Sequence, residues 1–480
     1  MRLYHYRSVE NGLLEIKNKT FHFSDKEELN DPIEGYLQIY WQGDKPAWEG
    51  LFRNYIASLF RSILNYLLAA PYDIICNSAT IPSVEQFYEV PLGKMLDNLG
   101  DTFIASNSLN KLIDYLSEND ICCSANFLKI ILQLVHETAY AICVDKIEKE
   151  RLSSDPMPKP EKNLLLGNLA KKFPKNLWSK IAEQEKEQLI KFVEFLVSPF
   201  EDYSELQMIY NEEKNSVDFT QRQIWIKLRT DFPDLYIRQM QEILYPKEYV
   251  VCFSGNGTNS VMWGNYAESH KGVCLIYQTK TKNEREYISV KSNPTYSNHD
   301  REFDFRDCSV KKIEYGNTLP KRNFFCSLGR LTRNQILSWL MPDRKNASIY
   351  LENYDSEEWR QQYWEDFDKK YHSKMQTWAY EEEYRISISD WIYSYSSGNR
   401  NIQYDPNALV GVIFGIKTSI QSKKKILEAL KQSGKDLNAL EIYQAQYNDE
   451  TQSIILRKKY DLIKFNSSKV VNDVESLGKA

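Results

Sequence analysis

Alternation of apolar and polar side chains marks both ends of the chain as strand-rich, and a three-and-four spacing marks its middle as helical. Residues 2–8 read as a strand, 9–17 as a short helix, and 20–24 as a second strand leading to the turn Asn30-Asp31-Pro32. After Trp41 the texture changes, with helical spacing through 48–70 and again at 84–99, 108–117, 126–150, 164–197 and 220–244. Strand character returns at 249–254, 272–277, 287–291, 310–315, 383–389, 409–416 and 442–447. Helical stretches at 324–340, 357–375 and 419–433 interrupt it. The expected fold class is α+β: a mixed β-sheet domain built from residues 1–36 and 246–465, with a large all-helical insertion over 37–245. Residues 466–480 are polar and are expected to form a disordered tail.

Composition narrows this picture. With 480 residues the chain can bury a large core without disulfides or a structural metal. Its 66 acidic and 61 basic side chains leave a formal charge of -5, so no general basic field draws it to nucleic acid or anionic lipid. The longest apolar runs fall short of a bilayer span, and the first residues form a strand pattern rather than a signal core. The 8 cysteines are scattered, with no C-x-x-C pair, which fits buried free thiols and argues against a zinc site. The expectation is a cytoplasmic protein without membrane association.

Three distant stretches carry the candidate chemistry. In Trp378-Ala379-Tyr380-Glu381-Glu382-Glu383-Tyr384-Arg385-Ile386, a strand would put Glu381, Glu383 and Arg385 on one face and Trp378, Tyr380 and Tyr384 on the other. Two carboxylates at that spacing lie about 6.6 Å apart, so one can stabilise developing positive charge while the other orients an attacking group. Arg385 is placed to pair with Glu383. In the first strand Leu3, His5 and Arg7 share a face; Arg7 can clamp a pyrophosphate or pair with Asp31 or Glu34. In the central stretch, Ser254 opens the loop Gly255-Asn256-Gly257-Thr258-Asn259 before a short helix whose Trp263 and Tyr266 would share a face and could sandwich a planar ring. The amides at that helix start are a candidate anion site, and His270 a candidate proton carrier. The plain alternatives are a solvated acidic edge strand, core aromatics and a capping histidine.

The motifs L-Y-H-Y-R-S, L-N-D-P-I-E-G, V-C-F-S, M-W-G-N-Y-A-E-S-H-K-G-V-C-L, W-x-Y-E-x-E-Y-R-I and V-x-x-V-I-F-G-I-K resemble the bacterial domain of unknown function 2971 family, over residues 1–36 and about 246–430. The order of basic strand, strand ending in serine and Glu-x-Glu is similar to the ADP-ribosyltransferase superfamily. That resemblance implies a sheet core of the same kind, NAD as substrate, Arg7 on its pyrophosphate, Ser254 supporting the site, Glu383 on the nicotinamide ribose and Glu381 positioning the acceptor or water. His5 with Tyr266 would instead match the histidine, tyrosine, glutamate branch, and the usual Ser-Thr-Ser triplet is reduced here to Ser254. The implied function is a toxin-like NAD-consuming effector, within an antiphage or toxin-antitoxin system. It would transfer ADP-ribose to a protein or nucleic-acid acceptor, or hydrolyse NAD, with the helical insertion available to a regulatory partner. Two other readings stand beside it: a non-catalytic partner-binding module, and a nuclease holding magnesium between Asp31, Glu34, Glu381 and Glu383.

Overall fold

The computed structural model describes residues 1–31, 37–69, 91–152, 228, 231–291, 295–297, 300–302, 304–389 and 397–458. The helix expected at 164–197, the tail at 466–480, and Pro32 and Glu34 lie outside these residues. The chain is a mixed α and β protein that divides into two compact units, one of 1–36, 246–320 and 368–480, the other of 37–245 and 321–367. Residues 321–367, expected in the sheet domain, thus belong with the second unit.

The first unit is built on an eight-stranded mixed sheet. Its strands are β1 (Arg2–Arg7), β2 (Glu248–Ser254), β3 (Val273–Gln278), β4 (Lys311–Lys312), β5 (Glu383–Ser389), β6 (Leu409–Phe414), β7 (Glu441–Asn448) and β8 (Ser453–Lys458), in the order β4-β5-β2-β1-β3-β6-β7-β8. Only the β6–β7 pair is parallel. The stretch 310–315, expected as one strand, is broken at Ile313 into two short strands that join different sheets.

Period-two alternation sends Leu3, Val251, Phe253, Val273, Leu275, Tyr277 and Ile386 to one face, where helix α1 (Val9–Asn18) and helix α3 (Ile420–Gln432) close a core with Ile16 and Ile426. Ser8 caps α1 through its hydroxyl, which accepts the Asn11 amide at 3.1 Å. The opposite face carries Tyr6, Cys274, Ile276 and Ile413 against Trp263 of the short helix α2 (Ser260–Asn265). One join is thin. β1 pairs with β3 along its whole length, from Arg2 opposite Gln278 to Arg7 opposite Val273, but with β2 at a single position, Tyr4 opposite Ser254.

In the second unit, the helices Lys45–Ala69, Pro91–Ile104, Asn107–Glu118, Ala125–Glu150 and Phe232–Glu242 pack Trp48, Phe52, Tyr55, Leu112, Leu128 and Tyr236 into a separate core. This unit is not all-helical: Gln38–Trp41, Cys123–Ser124 and Lys321–Asn323 form a three-stranded sheet. The stretch 324–340 is a 3-10 turn, Phe324–Cys326, and a helix, Arg333–Leu340, started by a Thr332 and Gln335 capping box. Among the described residues one helix, Ala125–Glu150, is long and apolar enough to cross a bilayer, by length and composition alone, with 67% of its most apolar window buried within the fold.

Candidate ligand site in the sheet domain

Glu381 and Glu383 meet by a route other than a strand. The short strand Ser373–Met375 ends the helix expected to run to 375 and lies parallel to Glu314–Gly316, with Lys374 opposite Tyr315. A 3-10 turn, Gln376–Glu381, follows, and Glu382 takes a left-handed backbone (φ 46°) before β5 begins at Glu383. The expected strand alternation from Trp378 to Glu381 is therefore corrected, because a 3-10 turn repeats every three residues. The left-handed step at Glu382 reverses the chain so that both acids reach one ammonium: Lys374 Nζ lies 2.7 Å from Glu381 Oε2 and 3.2 Å from Glu383 Oε2.

Each acid is further held. Arg385 donates from Nε to Glu383 Oε1 at 2.6 Å and from Nη2 to Oε2 at 3.0 Å, and its Nη1 donates to the Tyr371 carbonyl at 2.7 Å. The Tyr266 hydroxyl donates to Glu381 Oε1 and accepts from Asn30 Nδ2. Glu381 and Glu383 are each 3% exposed, Lys374 6% and Arg385 1%, so these charges interact with little solvent screening. Burial alone would lower the Lys374 ammonium, but Glu383 and Glu381 outweigh it and hold the group above the usual lysine value. Burial pushes the Glu383 carboxyl up, against the pull of Lys374. The Tyr266 hydroxyl is raised by burial and by its bond to Glu381.

Arg7 and His5 leave the sheet on the other face. Tyr4, Ser254 and Glu383 stand in one cross-strand row and so share a face, whereas Leu3, His5 and Arg7 point to the α1 side. There Arg7, expected to pair with Asp31 or Glu34, pairs with Glu15 of α1, from Nε to Oε2 at 2.8 Å; Glu34 lies outside the described residues. His5 Nδ1 lies 2.9 Å from Glu15 Oε1, and the Tyr277 hydroxyl donates to that oxygen at 2.7 Å. Burial alone would raise the Glu15 carboxyl; His5, Arg7 and the Tyr277 hydrogen bond hold it down at about 2. Burial and Arg7 push the His5 imidazole below its usual value. A neutral His5 beside an ionised carboxylate carries its proton on Nδ1 and keeps the Nε2 lone pair.

The two groups meet at the thin join. A cavity of about 220 Å³ is lined by His5 and Arg7 of β1, by Val250 to Ser254 of β2, and by Tyr266, Lys374, Glu381 and Glu383. The cavity is thus lined by residues whose side chains alternate to opposite sheet faces, His5 and Arg7 to one and Ser254 and Glu383 to the other.

The remaining candidates fall differently. Ser254 is buried, its hydroxyl donating to the Glu381 carbonyl at 2.7 Å, so it fixes the turn beneath the acids. Trp263 is not a ring platform: it is wholly buried, its Nε1 donates to the Gly257 carbonyl at 3.0 Å, and Tyr6 packs edge-on against it. The α2 amides are not an open anion site, since Asn259 Oδ1 accepts from Val261 N at 2.9 Å and Met262 N at 3.2 Å. His270 does not line the cavity. Among the described residues no group of three or more His, Cys, Asp or Glu is placed to hold a metal ion. The ammonium of Lys374 stands between the two acids where the nuclease reading would put magnesium.

Sequence reasoning missed Lys374 and Glu15. The only signal for Glu15 was a lone acid on the otherwise apolar side of α1, and for Lys374 an isolated lysine in the aromatic stretch 371–380. No protein-family model, curated protein or solved structure matches this chain.

Proposed function

We propose that the cavity between β1 and β2 binds NAD and that the protein cleaves its N-glycosidic bond, transferring ADP-ribose to a macromolecule or to water. The carrying observation is that Arg7, His5, Tyr266, Glu381 and Glu383, from three separate parts of the chain, line one cavity. Arg7 commits Nε to Glu15 and leaves its two Nη groups for a bidentate anion such as a pyrophosphate. Glu383, at the start of β5, faces the ribose and stabilises positive charge as nicotinamide leaves, and Glu381 directs the acceptor. At about 220 Å³ the cavity is below the roughly 300–1,000 Å³ of pockets that enclose a whole drug-sized ligand, so it suits the nicotinamide-ribose end of the molecule. The sheet core would on this reading be of the ADP-ribosyltransferase kind, with the second unit free to receive a regulatory partner.

A second reading draws support from the complete pairing of both acids with Lys374, Arg385 and Tyr266: a non-catalytic module in which these charges lock the fold. Nicotinamide release from NAD separates the two. Wild type is expected to release it, and Glu383→Gln, nearly isosteric and still hydrogen-bonded to Arg385, to lose about 100-fold or more while staying folded. Equal release by both proteins would reject the catalytic assignment.

A further inference from the structure

Lys374 has the geometry of a clip. Its ammonium touches Glu381 and Glu383 and lies 4.9 Å from the Trp378 ring centre, and its backbone is fixed by pairing with the Glu314–Gly316 strand. The three residues are only nine positions apart, so the clip closes a tight loop of which Glu381 and Glu383 are the far end. The Glu383 amide donates to the Tyr315 hydroxyl at 2.9 Å, tying the same loop to the neighbouring strand.

We propose that Lys374 is the positioning residue of this site, holding Glu381 and Glu383 as one ion-paired unit whose spacing and charge it sets. Arg385 cannot replace it. The guanidinium forks onto Glu383, and a further N–H is spent on the Tyr371 carbonyl. Without Lys374, Glu381 keeps only the Tyr266 hydroxyl, and two carboxylates face each other across a buried space. Such a pair holds a proton more tightly than it does beside the ammonium, which pulls the Glu383 carboxyl down against the effect of burial. The other titratable groups turned toward this unit are Arg385 and, acting on it, Asp31; Tyr266 and Tyr380 at Glu381; Cys252 and Tyr315 at Glu383. The four tyrosine and cysteine groups are all raised above their usual values, so none changes charge between pH 5 and 8. A pH effect in that window therefore does not come from these four groups.

The assignment places the clip in the cavity of the proposed function, but its main test needs no turnover. The melting temperatures of wild type, K374M, K374R and K374M/E381Q would be compared from pH 8 to pH 5. A proton taken up by the folded acid pair raises their carboxyl affinity above the unfolded value, so its stabilisation is present at low pH and lost as pH rises. K374M should therefore show a deficit at pH 8 that shrinks by about half or more at pH 5. K374R should restore a near-wild-type profile, and K374M/E381Q, which lacks the facing carboxylate, should show a deficit that changes less with pH than that of K374M. A K374M deficit equal at pH 5 and pH 8 overturns the proposal. Should K374M not fold, recovery of folded protein in K374M/E381Q supports the clip, and no recovery overturns it. If wild type releases nicotinamide, the acid limb of the K374M pH–rate profile should also move up by about one unit or more. Absence of release in wild type would remove the proposed function while leaving the stability result to decide the role of Lys374.

Discussion

Glu382 sits in the left-handed backbone region without being glycine, a conformation that costs a residue with a Cβ about 1–2 kcal/mol. Its neighbours hold it there: the Gly255 amide donates to its carbonyl at 2.8 Å, and Asn256 Nδ2 donates to its Oε1 at 2.9 Å. The exposed member of the three glutamates thus places the two buried ones. Glycine matters at another point of the site for want of space. A Cβ on Gly272 would lie 2.1 Å from the Arg7 carbonyl oxygen and 2.9 Å from the Ala267 backbone, whereas one on Gly264, within α2, would meet nothing within 4 Å. Gly272→Ala is therefore expected to cost about 3 kcal/mol or more, because the atoms it strikes are backbone at the end of β1. Gly264→Ala should be neutral or stabilising by up to about 1 kcal/mol, from the reduced freedom of the unfolded chain. Chemical denaturation of the two variants checks both signs, and equal stability of the two would show that β1 is not pinned at Arg7.

At the scale of elements, Asn259 is one of the side chains that join α2 to the 3-10 turn bearing Glu381. Asn259 caps α2 with Oδ1 and donates from Nδ2 to the Tyr380 carbonyl at 2.6 Å. Asn259→Ala removes the cap, at about 1 kcal/mol, and the tether as well. The expected signature is faster hydrogen exchange at Val261 and Met262 together with loosening of Gln376–Glu381; exchange changed in α2 alone would mean that the turn is held independently.

These joints explain what could be read from the chain. β5 and the two strands of 249–254 and 272–277 were legible because alternation with one buried face leaves a period-two imprint on any half-buried strand. The turn from Trp378 to Glu381 carries the same aromatic and acidic alternation for another reason: from a 3-10 turn Trp378 lies beside the Lys374 ammonium and Tyr380 packs against Trp378. Local pattern has no means of separating those causes. Glu15 and Lys374 were invisible for a related reason. Each is a single charge in a short element, and what makes it part of the site is a partner from its own fold environment: His5, Arg7 and Tyr277 for one, and a return of the chain through a left-handed residue for the other. Trp263 shows the converse, since an aromatic beside a glycine loop reads alike whether it lines a cleft or fills a core.

At the scale of the molecule, the sheet unit rests on buried charge of both signs, and its acid response follows from which carboxyl groups folding lowers or raises. Glu15 is buried beneath β1 and held at about 2 by His5 and Arg7 against the effect of burial, compared with an ordinary glutamate value of 4.5. A folded value below the unfolded one means that its contribution is fully present above pH 4.5 and is lost as pH falls from there through about 2. The size is about 3 kcal/mol for a shift of that extent. Glu383 and Glu248 are shifted the opposite way by burial, so their contributions grow on acidification and oppose the loss. Wild type should therefore lose stability below pH 4.5 less steeply than Glu15 alone would dictate. In Glu15→Gln the falling component disappears, and the variant, weaker than wild type at pH 7 because Arg7 and His5 lose their anionic partner, should approach it between pH 4 and pH 2. Because the two units have separate cores, the measurement has to report the sheet unit itself, through hydrogen exchange of the paired amides of β1 and β3. Parallel pH curves for the two proteins in that window would mean that Glu15 does not carry the charge that anchors Arg7.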